Sequence, residues 1–340
     1  MKLSSTLFLA VLLSGLGFYY FVWEKPALKT EEMKSDRILN LADHDSFSLV
    51  EIENPSAKER MTLRRKGSDW LIVSPVFYPA ENYLVEGMMQ ALVFSRREKH
   101  FQVPNPNSKE FGFDSSALKL TVRTEKNPQP RTLLLGKASP VAKGVYARWQ
   151  GESEIFLIPD QLKSALDRTV YSLRRKKLFR VNWNRVTWMV AETGTRKFRI
   201  EKKGDKWQWV VPAIPAEVPI EKATDFIYSF QSLYIKDFLD GKNYLDKEYG
   251  LRKGEILLAA GEANGAQEKL ILGNRAKGRD AFFAVRRNED LVLLVSENNV
   301  KALLQLFEVT LQELQGEHPG KNPPDRTTDS GLAVAGPAKP

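Results

Sequence analysis

Three histidines, His44, His100 and His318, stand far apart in a chain of 340 residues that contains no cysteine. Without thiols there can be no disulfide, thiolate metal site or cysteine nucleophile. A histidine-based zinc site, or a serine–histidine–aspartate relay, would need a second histidine or placed carboxylates near His100. The spacing suggests neither. Gly136-Lys137-Ala138-Ser139 resembles the end of a phosphate loop, but lacks the upstream glycine and a hydroxyl directly after the lysine. Gly261 and Gly265 form no dinucleotide fingerprint and read as a polar hairpin turn, and Asp43 and Asp45 lack the rest of a calcium loop. Glu81 and Glu217 recur in related phrases, for which a place in the first turn of a helix is sufficient reason. Carboxylate pairs that hydrolyse glycosides leave no mark in spacing. The expectation is therefore a chain without catalytic residues, metal or cofactor, and not an enzyme.

The formal charge is +9, which would suit an acidic partner, anionic lipid or nucleic acid. The cations fall in short groups, Arg64-Arg65-Lys66, Arg96-Arg97, Arg174-Arg175-Lys176-Lys177 and Arg286-Arg287, each flanked by apolar residues. Such groups read as solvated faces and junctions. Basic and aromatic residues interleave at RVNWNRVTW (180–188), as on a single-strand stacking platform, but strand cores give the same pattern. No nucleic-acid partner is expected.

The elements that would have to position any site come as a duplication. DWLIVSPVFYPAE (69–81) and KWQWVVPAIPAE (206–217) place Trp70 on Trp207 and Pro75 on Pro212, both 137 positions apart, with Glu81 on Glu217 one residue shorter. Downstream, EFGFD (110–114) answers EYGLR (248–252), and TLLLGK (132–137) answers KLILGN (269–274), with Gly136 and Gly273 again 137 apart. Units of this size are too large for a solenoid repeat, so each is read as a domain or half of a pseudo-symmetric pair.

Both copies open with β-branched and aromatic runs, FSLVEIE, MTLRRKG and WLIVSP in the first, VTWMVAE, KFRIEKK and WQWVVP in the second, separated by turn residues. The proline at the end of WLIVSP or WQWVVP forfeits a ladder hydrogen bond and should stop pairing. Residues 82–94 and 220–233 then show helical spacing, with Ile220, Ala223, Ile227, Phe230 and Tyr234 in one stripe. A meander of four short strands and a closing helix near 160–173 and 297–309 should complete each copy, with Gly136 and Gly273 as strand-ending turns. The predicted fold is α+β, two tandem repeats of about 130 residues, each a largely antiparallel sheet with packed helices. The repeats are placed at 45–177 and 178–314, and a Pro- and Gly-rich disordered tail at 315–340.

Leu3–Trp23 contains no charged residue and, at about 1.5 Å per residue, spans about 31 Å as a helix, enough for a bilayer core. Aromatic residues Phe18, Tyr19, Tyr20, Phe21 and Trp23 crowd one end, where rings favour the headgroups. A cleaved leader usually has a shorter apolar run and small residues before the cut. The reading is one N-terminal transmembrane signal anchor at 1–24, a juxtamembrane linker at 25–44, and the bulk of the chain outside the cytoplasm.

The anchor, the early strands, the D/K-W-x-x-x-x-P corner, the F/Y-G-F/L turn and the L-L-L-G and L-I-L-G strands together resemble the bacterial family called domain of unknown function 4340, over about residues 1–310. Members of that family are often encoded beside ABC transporters of the gliding-motility type and are labelled auxiliary components. The resemblance implies a single-pass protein of the bacterial inner membrane, an accessory component of an ABC-type transporter or envelope complex, whose partners are the bilayer through Leu3–Trp23 and other envelope proteins. It supplies no catalytic residues. A periplasmic ligand-binding or polysaccharide-processing protein, with a cleft between the repeats, is the alternative.

Overall fold

A computed structural model of the chain describes residues 12–20, 22, 36–39, 47–103, 109–194, 196–214 and 216–316. The chain divides into two compact units between Lys176 and Lys177.

Unit 1 contains β1 (Phe47–Asn54), β2 (Glu59–Lys66), β3 (Asp69–Ser74), β4 (Tyr78–Pro79), helix α1 (Asn82–Phe94) and β5 (His100–Gln102). Strands β6 (Leu118–Thr124), β7 (Arg131–Ala138), β8 (Val145–Trp149) and β9 (Glu154–Ile158) follow, then short helices α2 (Asp160–Leu166) and α3 (Val170–Leu173). The nine strands form one sheet in the order β4-β3-β2-β1-β6-β7-β8-β9-β5. Alternation explains its inner face: Val50, Ile52, Met61, Leu63, Trp70, Ile72, Leu120 and Leu133 are all fully buried. After β4 the chain leaves the sheet as α1, which buries Val85, Met88, Met89, Leu92 and Val93, and returns as β5 at the far edge.

β3 stops at Ser74, directly before Pro75, as the missing donor requires. The β4 edge is not left open. Arg174 forms a bridge with Ala80, and the amides of Glu81 and Arg175 donate to Leu173 O and Pro79 O at 2.7 and 3.0 Å. Edges covered in this way do not template pairing with other chains.

Unit 2 repeats the plan with β10 (Val186–Thr193), β11 (Arg196–Lys203), β12 (Lys206–Val211), β13 (Glu217–Val218), α4 (Ile220–Ser232) and β14 (Ile235–Leu239). It closes with β15 (Ile256–Glu262), β16 (Gln267–Ala276), β17 (Ala281–Arg286), β18 (Val292–Ser296) and α5 (Glu297–Leu314). Its sheet order, β13-β12-β11-β10-β15-β16-β17-β18-β14, copies that of unit 1 strand for strand. The core is more aromatic. Phe226 of α4 stacks on Phe307 of α5 with ring centroids 4.2 Å apart, beside Phe198 and Trp209.

The antiparallel α+β architecture and its duplication stand. Four local expectations are corrected. First, Gly136 and Gly273 do not end strands: both lie inside β7 and β16, where the register shifts at a bulge. Second, Gly261 lies within β15 rather than in a turn, under the Trp188 ring. Third, α4 buries Ala223, Phe226 and Phe230, whereas Ile220 and Tyr234 are exposed. Ile220 is the first residue of the helix and Tyr234 follows its end, so neither is held against the sheet. Fourth, α5 runs on to Leu314 while the matching part of unit 1 breaks into α2 and α3.

About half of the anchor expected at Leu3–Trp23 lies outside the described residues. Within it, residues 12–19 are helical. Among the described residues no helix is long and apolar enough to cross a membrane. Most of the expected linker and tail also fall outside. From the linker, Ile38 and Leu39 are buried in the unit 1 core, with Ile38 N donating to Ser95 O at 3.3 Å.

Candidate functional site

The repeat markers occupy two places in each unit. Trp70 and Trp207 are buried on β3 and β12, and Pro75 and Pro212 follow both strands, each through a cis peptide bond. The Trp70 indole donates Nε1–H to Glu86 Oε1 at 2.7 Å, and Arg65 approaches the same carboxylate at 3.7 Å. Asn82 fastens the start of α1 to the β2–β3 turn. Its Oδ1 accepts from Trp70 N at 2.9 Å, and its amide donates to Asp69 Oδ1 at 2.6 Å.

Glu81 and Glu217 are not equivalent. Leu71 pairs with Pro79 and Gln208 pairs with Glu217, so Glu217 stands level with Pro79, while Glu81 and Pro219 are the matching N-caps. One extra residue in the second corner loop displaces the two Pro-Ala-Glu triplets, because strand pairing rather than the triplet fixes position. Glu217 is paired with Lys206 at 2.8 Å on an exposed edge. Gly136 on β7 and Gly273 on β16 lie beneath loop backbone at Phe111 and Tyr249.

The residues weighed for chemistry fall in several separate places. His100 is exposed on β5, and His44, His318, Asp43 and Asp45 lie outside the described residues. Among the described residues no group of His, Asp or Glu could hold a metal. Gly136-Lys137-Ala138 is strand, with Lys137 N donating to Phe111 O at 3.1 Å, and Ser139 Oγ accepts from Ala142 N in the following turn. In the 180–188 segment, Arg180 is ion-paired to Glu268 and Glu289. Trp183 packs on Phe179 and Phe230, and Trp188 lies over Gly261 with the Arg199 guanidinium 5.2 Å from its ring.

Carboxylates that could act as general acids would need raised pKa values. Among the described residues four carboxylates are shifted, all of them downward. Asp69 is lowered by its hydrogen bonds from Asn82 and Arg175, and Asp114 by those from Ser116. Burial pushes Glu289 up, but Arg286 and Arg180 together outweigh it and hold it low. Glu297 is held low first by Lys301 and then by Arg275.

Concavities among the described residues include one of about 300 Å³ bordered by Phe179, Trp183 and Phe230, and two larger ones. In unit 2 a groove of about 480 Å³ runs between β11, the Val211-Pro212 corner and the last turns of α5. Arg196, Phe198, Pro212, Glu308 and Leu311 line it, and Arg196 spans it to Glu308 at 2.5 Å.

In unit 1 a depression of about 680 Å³ surrounds Phe113, Lys119, Arg148 and Glu152. Arg148 is 6% exposed. Its guanidinium lies 5.3 Å from the Phe113 ring and donates to Glu152 O at 3.1 Å. Burial lowers its pKa. The sheet register puts Val285 at the matching position of unit 2, so this buried cation belongs to unit 1 alone. Nothing in the spacing of VYARW (145–149) singles it out.

No curated protein and no solved structure matches the chain. One family model does, described as Domain of unknown function (DUF4340), over residues 70–254. The match is narrower than the resemblance over 1–310. It begins at Trp70 of β3, crosses from unit 1 into unit 2, and ends in the loop before β15. Because it covers just over half of the sequence, the chain belongs to the DUF4340 family.

Proposed function

We propose that this chain is a non-enzymatic, membrane-anchored interaction protein, an accessory component of an ABC-type transporter or another envelope complex. The anchor is Leu3–Trp23, and the two units work outside the cytoplasm at the inner membrane. The observation that carries the proposal is that uncharged N-terminal run joined to a duplicated α+β body. Two further features support it. The carboxylates with shifted pKa values are held ionised by cations or hydrogen-bond donors. The unit 2 groove, lined by Phe198, Pro212 and Leu311 beside Arg196 and Glu308, offers apolar and charged groups to a polypeptide segment.

The test is purification of the tagged full chain from membranes in mild detergent, with co-purifying proteins identified by mass spectrometry. Transporter subunits or other integral envelope proteins should be recovered, and fewer of them with Leu311→Asp in the groove. Recovery of the chain alone across several detergents, or of intact chain in the cytosolic fraction, would overturn the proposal.

A further inference from the structure

Tyr83, Gly87, Gln90 and Phe94 fall within about 60° of one another around α1 at 100° per residue. Tyr83 is 70% exposed and Phe94 59%, and Gly87 has open space where a side chain would stand. The helix has a single charge, Glu86, which is held by Trp70 and Arg65 off this stripe. A helix on the surface of a soluble body normally turns charged residues outward. Here the outward stripe has none.

The duplication supplies an internal comparison. α1 and α4 are both thirteen residues long, and their N-caps are matched in the sheet register. The same stripe on α4 is Glu221, Asp225, Tyr228 and Ser232, with both acids exposed. Two copies of one framework therefore differ in what this helix face meets.

The route of the chain says what α1 meets. Arg37 bridges to Arg96, and Arg97 N donates to Asp36 O at 2.6 Å, so the chain arriving from the N-terminus docks directly after Phe94. Only residues 24–35 separate Trp23 from Asp36, a reach of at most about 47 Å when fully extended. Exposed Arg96 and Lys99 follow Phe94, with Glu98 between them, and then Phe101. Aromatic rings beside cations suit the headgroup region of an anionic bilayer, and a short tether keeps that surface at high effective concentration.

We propose that the outward stripe of α1, Tyr83 to Phe94, rests on the bilayer surface and fixes unit 1 against the membrane. This rests on the reading of Leu3–Trp23 as the anchor. The α4 stripe, with Glu221 and Asp225, stays in water.

Because the chain has no cysteine, single labels test this cleanly. The full chain in phosphatidylglycerol-containing nanodiscs is labelled with an environment-sensitive fluorophore at Tyr83→Cys or Phe94→Cys. Controls carry the label at Glu221→Cys, Ser232→Cys or Leu13→Cys. Headgroup nitroxide lipids should quench positions 83 and 94 several-fold more than 221 and 232. Equal quenching at all four, with position 13 quenched by mid-chain nitroxides, overturns the α1 contact and leaves the anchor standing. Protection of 83 and 94 from aqueous iodide without lipid quenching also overturns it, in favour of a second copy covering the stripe. No quenching at position 13 removes the anchor itself.

Discussion

The carbonyl oxygen of Phe111 occupies the space that a side chain at Gly136 would need, and Tyr249 does the same to Gly273. In each unit the loop before the second half of the sheet crosses a bulged strand, with Gly112 and Gly250 in left-handed conformations at φ +75° and +67°. Gly136→Ala and Gly273→Ala must push that loop off the sheet, and each should cost about 1–3 kcal/mol. Gly87→Ala, in open space on a helix, should instead stabilise by roughly 0.5–1 kcal/mol. Urea unfolding of the three variants checks the sign; a loss at position 87 as large as that at 136 would contradict the packing.

Two buried tryptophans should respond unequally to loss of the indole nitrogen. Trp70 donates to the Glu86 carboxylate, whereas the buried Trp209 Nε1 has no hydrogen-bond partner among the described residues. Trp70→Phe removes a hydrogen bond to a charged group, worth about 1.5–3 kcal/mol. Trp209→Phe removes an unsatisfied donor and loses only packing. Thermal unfolding should place Trp70→Phe clearly below Trp209→Phe, and the reverse order would show that ring volume dominates.

What was legible in the sequence was local or repeated. Period-two runs around Val50, Leu63 and Ile200 gave the strands, and helical spacing gave α1 and nearly all of α4. The constant interval between Trp70 and Trp207, or Gly136 and Gly273, gave the duplication. What failed depended on partners distant in the chain. Gly136 looked like a turn because the Phe111 backbone that requires it arrives from another loop. Glu81 was set on Glu217 because a triplet can slide along a loop, while the pairing of Leu71 with Pro79 cannot.

Acid should loosen unit 2 through Glu289. Burial raises this carboxyl, but Arg286 and Arg180 outweigh that effect, so its folded pKa lies below the unfolded value of about 4.3. A depressed folded pKa gives stability that is full above the unfolded value and is lost as pH falls through the folded one. The urea midpoint of the full chain should therefore fall as pH drops below about 4.3. Glu289→Gln should be less stable near neutrality and show a flatter acid limb. An unchanged slope in that variant would assign the acid sensitivity to other carboxylates.

The unit 2 groove separates binding from folding. Arg196 is exposed and Glu308 partly so, and their ion pair should contribute no more than about 1 kcal/mol. Arg196→Ala should accordingly leave the unfolding midpoint almost unchanged. The same substitution strips one wall of the groove of its cation and uncovers the Glu308 carboxylate beside Leu311. If a polypeptide segment docks there, recovery of partners should fall while the fold persists. A loss of midpoint matching the loss of recovery would instead make the groove a structural seam, because a surface contact used only for binding has no reason to hold α5 against β11.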